Sequence, residues 1–400
     1  MSGSQDFIRI EDRYGAHNYK PLDVVLTRGQ GIWVEDVDGK KYMDFLAAYS
    51  AVNQGHCHPR LVKVMQEQCA RLALTSRAFR NDQWPLLAQE VCEMTGYEMV
   101  LPMNSGAEAV ETAIKAVRKW GYKIKGVAKD RAEIIVCAGN FHGRTTTIIS
   151  FTSEDQYKDG FGPLTPGFVI INYGSIEELK RAITPNTVAF LVEPIQGESG
   201  VVVPPAGFLR TAAEICRENK VLLVTDEIQS GLGRTGKLFA FEHENVKPDV
   251  VIVGKALSGG MYPVSVVLSS QEILGVFQPG DHGSTYGGNP LGCAIAREAL
   301  KIIIDEKLPE RSAESGVYLM QKLNEIKSPY VEKIRGKGLW IGIVLKSSAA
   351  GARRFCEALQ TRGILAKETH ENVIRLAPPL NITRAEMDQA LDIIREVLSK

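Results

Sequence analysis

Five short apolar runs recur between residues 132 and 255, interleaved with stretches of helical periodicity. They are AEIIVCAG (132–139), GFVIINY (167–173), TVAFLVEPI (187–195), KVLLVTDE (220–227) and DVVIVGK (249–255). Most are β-branched and apolar on both faces, as strands covered by helices on two sides must be. SIEELKRAI (175–183) and GFLRTAAEICREN (207–219) read as intervening helices. Strand–helix alternation of this kind implies an α/β fold with a mainly parallel sheet. The flanks differ. GQGIWVEDVDGKKYMDF (29–45) reads as a hairpin with Asp38-Gly39 at its turn. After Pro290 come a long helical stretch, a strand KIRGKGLWIGIVL (333–345), a helix and short closing strands. The expected organisation is a large unit over 51–290 and a smaller α+β unit built from both termini, 1–50 and 291–400.

Composition removes several classes of function. Lys+Arg and Asp+Glu both number 47, so there is no basic excess of the kind that nucleic-acid binding leaves. No apolar run reaches the length of a membrane span. MSGSQDFIRI at the N-terminus lacks the charged-then-apolar pattern of a signal peptide, and a cytoplasmic protein is expected. The seven cysteines are scattered and form no CxxC pair, which fits free thiols in a reducing compartment. His56-Cys57-His58 has no second ligand cluster and reads as a turn closed by Pro59; no metal is expected. GLGRTGKL (231–238) nearly matches a nucleotide-binding P-loop. Leu238 stands where that loop needs a hydroxyl, and no strand directly precedes it.

Two strands end in charge. KVLLVTDE closes on Asp226 and Glu227, and DVVIVGK closes on Lys255. In open α/β sheets ligands bind outside the carboxyl ends of the strands, and charge there is costly to bury unless paired or used. Pyridoxal phosphate requires such a pair. A lysine amine forms a Schiff base with its aldehyde, and a carboxylate keeps its ring nitrogen protonated. Burial also lowers a lysine's pKa, making a better nucleophile and base. Gly254, Gly259 and Gly260 would let backbone approach the cofactor. A lysine at a strand end can instead be a snorkelling side chain. For the phosphate, LPMNSGAEAVETAIKAVRKWGY (101–122) offers Ser105 as N-cap, Gly106 and Ala107 in the first turn, and a helix face of Val110, Ile114 and Val117. Its free N–H groups make an anion cradle, although the stretch by itself also reads as an ordinary capped helix.

With these residues in view, the sequence resembles the class III, fold type I pyridoxal-phosphate aminotransferases. The resemblance runs from GAHNYKPLDVVL (15–26) to RLAPPLNI (375–382). It is carried by YSAVNQGHCHP (49–59), LTSRAFRND (74–82), NSGAEAVETAIK (104–115), GNFHGRT (139–145), EPIQGESG (193–200), DEIQSGLGRTGK (226–237), GKALSGG (254–260) and HGSTYGGNP (282–290). It implies Lys255 as the Schiff-base lysine and proton shuttle, Asp226 as the ring-nitrogen partner and Gln229 as a contact of the ring hydroxyl. It implies Ser105, Gly106 and Ala107 around the phosphate, with Phe141 stacked on the ring beside His142. Ser284 and Thr285 would reach the phosphate of a neighbouring subunit, so the site would be complete only in a homodimer. The resemblance further implies transfer of the δ-amino group of L-ornithine to 2-oxoglutarate. Arg144 would clamp the carboxylate far from the reacting carbon, lined by Tyr19 and Tyr49. Arg375 would take the near carboxylate of 2-oxoglutarate, and Glu198 would mask Arg375 while ornithine is bound. His142 stands where animal-like members carry Trp, and it implies a bacterial-type enzyme. N-acetylornithine, 4-aminobutyrate and lysine are the rival amino donors; Tyr19 and Tyr49 in their contexts favour ornithine.

Overall fold

The computed structural model describes residues 3–399. Its centre is a seven-stranded sheet. Across it the strands run Met99–Met103, Ser265–Ser269, Val250–Val253, Leu222–Asp226, Thr187–Val192, Glu133–Cys137 and Phe168–Ile171. The five apolar runs are five of these strands, and they pair parallel throughout. Two strands went unread. Ser265–Ser269 is antiparallel to both its neighbours, which aligns Met99–Met103 with the other five. Ser265–Ser269 falls outside the strand–helix alternation, and Pro102 hides the edge strand from pattern reading.

Strand alternation sorts side chains into two cores. Ile134, Val136, Leu191, Val224 and Ile252 face one side, where Val110, Ala113, Ile114 and Val117 of the helix Gly106–Trp120 cover them. Ile135, Phe190, Leu223, Val251 and Val253 face the other side and pack with the helices Phe208–Glu218 and Pro290–Asp305. Every residue of the four strands between 187 and 269 is buried.

Two smaller sheets flank this body. In one, Leu26–Gln30, Trp33–Asp36 and Lys41–Asp44 join Ile364–Leu365, tying early chain to late chain. Its hairpin turns at Asp38-Gly39, where Gly39 has φ +87° and Asp36 Oδ1 accepts from the N–H groups of Asp38 and Lys40. The other contains Val331–Lys337 and Trp340–Leu345, where one strand was expected. Gly338, at φ +58°, folds that run back on itself. The long helical stretch after Pro290 is likewise two helices, Pro290–Asp305 and Leu308–Asn324, parted at Lys307 in a left-handed conformation. A last helix, Arg384–Ser399, follows the closing strands.

Candidate active site

The carboxyl ends of the parallel strands converge on a cavity of about 190 Å³. Asp226 ends one strand, Glu193 follows the next, and Lys255 lies two residues past a third. The helix Gly106–Trp120 starts at its edge because Ser105 caps it. Ser105 Oγ accepts from Glu108 N, and Glu108 Oε2 accepts from Ser105 N at 2.6 Å. This box leaves the first-turn N–H groups of Gly106 and Ala107 without helical acceptors, and both residues line the cavity. A Cβ on Gly106 would stand 2.9 Å from the Ile228 side chain, so the close approach depends on glycine. Two wider clefts, of about 930 and 1050 Å³, open elsewhere; neither contains Lys255, Asp226 or His142.

Lys255 faces the cavity in a left-handed conformation at φ +46°. Protein surrounds its amine, and that desolvation pulls the pKa down to about 8 against the opposing charges of Glu198 and Asp226. Asp226 is buried. Its Oδ1 accepts from Ile228 N, and its Oδ2 accepts from His142 Nδ1 at 2.7 Å. An ionised carboxylate only accepts, so this bond fixes the proton on Nδ1. Burial opposes charge on His142, yet the Asp226 bond outweighs it and holds the imidazole above its ordinary pKa. His142 therefore supports the charge of Asp226 from behind. Its Nε2 has no partner among the described residues.

Glu193 escaped sequence reading, although it ends TVAFLVE as Asp226 ends its own run. It is buried in the cavity wall, and desolvation lifts its carboxyl to about 8. Its Oε2 accepts from Phe141 N at 3.0 Å, which fixes the loop that places the Phe141 ring.

The rim is assembled from distant chain segments. Buried Arg375 pairs with Glu198 at 2.8 Å, and Gln229 Nε2 donates to the same Glu198 oxygen at 3.1 Å. Burial alone would raise the Glu198 carboxyl, but Arg375 holds it below the usual range. The Arg375 guanidinium lies over the Tyr49 ring, 4.7 Å from its centroid. Tyr49 sits in a left-handed turn that sequence reading missed. Ala47, Ala48, Tyr49 and Ser50 have φ of +48°, +46°, +60° and +73°. Asp44 braces the turn: its Oδ1 accepts from Leu46 N and Ala47 N, and its Oδ2 is 2.7 Å from His56 Nε2. Arg144 rests on two aromatic rings, Tyr157 at 4.1 Å and Phe141 at 5.7 Å. The other expected residues stay outside the cavity. Tyr19 is 74% exposed. Ser284 Oγ bonds Asn104 and Gly287 within the chain, and Thr285 is exposed. The P-loop lookalike serves structure: Arg234 is fully buried and donates to Leu339 O, Pro378 O and Asn53 Oδ1.

The class-III aminotransferase family model matches residues 14–398. The chain belongs to the class-III aminotransferases. An ornithine aminotransferase of Geobacillus sp. (strain WCH70) is 57% identical over 399 residues, covering all of both chains. The crystal structure of an ornithine aminotransferase from Toxoplasma gondii superposes with a TM-score of 0.98 at 43% identity, covering 100% of this chain and 95% of that one. An acetylornithine aminotransferase from Elizabethkingia anophelis superposes at 0.90 with 48% identity, covering 100% and 99%. The fold is accordingly the fold type I architecture. Aminotransferases of this class work with pyridoxal 5′-phosphate. The cavity fits that cofactor: it offers an uncrowded helix start for a phosphate, a buried amine, a braced carboxylate and an unpartnered Gln229 Oε1.

Proposed function

We propose that this aminotransferase moves the δ-amino group of L-ornithine to 2-oxoglutarate. The products are glutamate 5-semialdehyde, which cyclises to pyrroline-5-carboxylate, and glutamate. The observation that carries this reading is the Glu198–Arg375 pair at 2.8 Å beside the cavity. An enzyme that admits a cationic end and then an anionic one needs a charge it can cover and uncover. With Glu198 paired, Arg375 is neutralised and the ornithine ammonium enters without repulsion. When 2-oxoglutarate arrives, its near carboxylate takes the guanidinium in a bidentate fork.

The bound cofactor supplies an electron sink that stabilises a carbanion. The chain supplies the rest. Lys255 Nζ, near pKa 8, takes and returns the substrate-carbon proton. Asp226, braced by His142, pairs the ring nitrogen. Gly106 and Ala107, capped by Ser105, hold the phosphate; Phe141 stacks on the ring, and Gln229 meets its hydroxyl. Arg144 clamps the far carboxylate with Tyr19 and Tyr49 about it. Ser284 and Thr285 complete the phosphate site of a second copy, so the working unit is a homodimer. The same reading assigns 51–290 to a large cofactor-binding unit and the two termini to a small one. In its support, the seven-stranded sheet lies within 99–269 and the small sheets draw on 26–44 and 331–376. A cytoplasmic setting agrees with seven unpaired cysteines among the described residues.

N-acetylornithine is the second reading, favoured by the name of the Elizabethkingia relative. The visible spectrum of the holoenzyme separates them. L-Ornithine is expected to discharge the cofactor's visible band, with N-acetyl-L-ornithine far slower. Faster discharge by the acetylated donor would reassign the substrate. A protein that gains no band on adding pyridoxal phosphate would overturn the role of Lys255.

A further inference from the structure

Arg144 is exposed at the mouth of the site, and a free arginine there would wander among many rotamers. It does not wander, because its guanidinium carbon stands 4.1 Å from the centroid of Tyr157 and 5.7 Å from that of Phe141. The two rings meet edge to face, 6.4 Å apart at 80°, so the three side chains form one corner. Tyr157 belongs to the short helix Asp155–Lys158, in the same excursion between strands that carries Phe141 and His142.

We infer that Tyr157 is a positioning residue for substrate carboxylates, its ring serving as the seat on which Arg144 waits. The argument lies in what a ring does that a carboxylate cannot. An acidic partner would hold Arg144 by its N–H groups, the same groups a substrate carboxylate needs. An aromatic face holds the cation through its quadrupole, so the in-plane N–H fork, apart from its contact with the Tyr157 hydroxyl, stays free. The contrast with Arg375 is direct: there a carboxylate, Glu198, accepts from Nη1 and neutralises the guanidinium until it is displaced. One site thus holds one arginine that is covered and one that stays open. Burial raises the Tyr157 hydroxyl, while the Arg144 charge and a side-chain hydrogen bond with Arg144 oppose that rise, so hydroxyl and ring face the same cation. The inference rests on the proposed role of Arg144 as the far-carboxylate clamp.

The test uses the holoenzyme and Tyr157→Leu, Tyr157→Phe, Arg144→Gln and the Leu/Gln double variant. Three quantities are read: KM for ornithine, the calorimetric Kd for the unreactive dicarboxylate glutarate, and the single-turnover discharge rate with 1,4-diaminobutane, which lacks a carboxylate. Tyr157→Leu is expected to raise the ornithine KM and glutarate Kd about three- to tenfold, most of the loss falling in KM. The diamine rate should change by less than about twofold, and Tyr157→Phe should restore both affinities. In the Arg144→Gln background, Tyr157→Leu should add almost nothing, since the two share one interaction. Equal losses for diamine and ornithine would mean a general distortion and overturn the inference. Additive effects would do the same, and so would a Phe variant as poor as Leu, which would assign the effect to the hydroxyl. If Arg144→Gln itself leaves the ornithine KM unchanged, the clamp reading falls and takes this one with it. If Arg144→Gln weakens binding and Tyr157→Leu does not, this inference alone fails.

Discussion

Asp226 and Lys255 stand at the ends of strands one position apart in the sheet, and the capped helix opens beside them; Tyr49, Arg144, Glu198 and Arg375 come from four separate segments. The floor of the site inherits its geometry from backbone hydrogen bonding. The rim depends on side chains holding one another: Arg375 on Glu198 and Tyr49, Arg144 on Tyr157, and Asp44 under a strained turn. A sheet can be deformed only at the cost of many bonds, whereas a side-chain relay can be re-set by one substitution. The floor should thus decide whether chemistry occurs, and the rim which molecule undergoes it.

The floor offers the largest effects. Lys255→Ala is expected to lower kcat by at least about a thousandfold, since it removes the nucleophile and the proton carrier together. Circular dichroism should show the fold retained. In the wild-type apoprotein, cofactor uptake needs the uncharged amine, and Lys255 is lowered to about 8. Uptake should therefore rise with pH up to about 8 and then level, rather than climbing towards the 10.5 of a free lysine. A rise that continues past pH 9 would show that the amine is not desolvated. Next comes Asp226→Ala, which breaks the buried contact with His142 and strands the imidazole. Breaking such a pair costs several kcal/mol, so cofactor retention in equilibrium dialysis should weaken by two orders of magnitude or so. A loss below about tenfold would make the braced carboxylate dispensable and put floor and rim on the same footing.

A rim substitution should split the two half-reactions instead of lowering both. Glu198→Gln leaves Arg375 uncovered. The discharge of the cofactor by ornithine should slow about tenfold, within the range for charge-assisted contacts, while the return half-reaction with 2-oxoglutarate holds or improves. The same change withdraws a negative charge that supports the protonated Lys255, so the inflection in cofactor uptake should move to lower pH. Stopped-flow measurement of each half-reaction decides. Parallel losses would mean that Glu198 belongs to the floor.

The same division explains what was legible in the sequence. The inner parallel strands are legible because both faces are buried, so each is a nearly unbroken apolar run, while Phe168–Ile171 stays apolar at the sheet's edge although Ile170 is exposed. A charge ending such a run is conspicuous, which marks Asp226 and Lys255, and Glu193 obeys the same rule. Antiparallel Ser265–Ser269 lacks the strand–helix rhythm, and Gly338 sits inside an apolar run whose pattern does not mark the turn that makes two strands of it. Arg144, Glu198 and Arg375 could be named only through resemblance. An Arg and a Glu 177 positions apart carry no local mark of being paired. Tyr157 carries none either, since its importance lies in which cation rests on it.

The smallest expected effect probes the most strained part of the rim. Tyr49 is one of four consecutive left-handed residues, flanked directly by Ala48 and Ser50, and each costs roughly 1–2 kcal/mol relative to ordinary helix. Ala48→Gly removes one such cost and returns roughly 0.5–1 kcal/mol of glycine entropy, for a net gain of about 0–1.5 kcal/mol. In a chain of this size that is a rise in Tm on the order of 1–2 °C. Stability and selectivity should then part company. A glycine at 48 accepts the left-handed turn without strain but also admits other conformations, so the Tyr49 ring is held less firmly on Arg375. Ornithine should lose part of its advantage over 4-aminobutyrate while kcat for ornithine changes little. A variant that is less stable than wild type would show that the turn carries no strain. A more stable variant with unchanged donor preference would show that the strain is real but that Tyr49 is held by Arg375 alone, moving the turn from the rim to the scaffold.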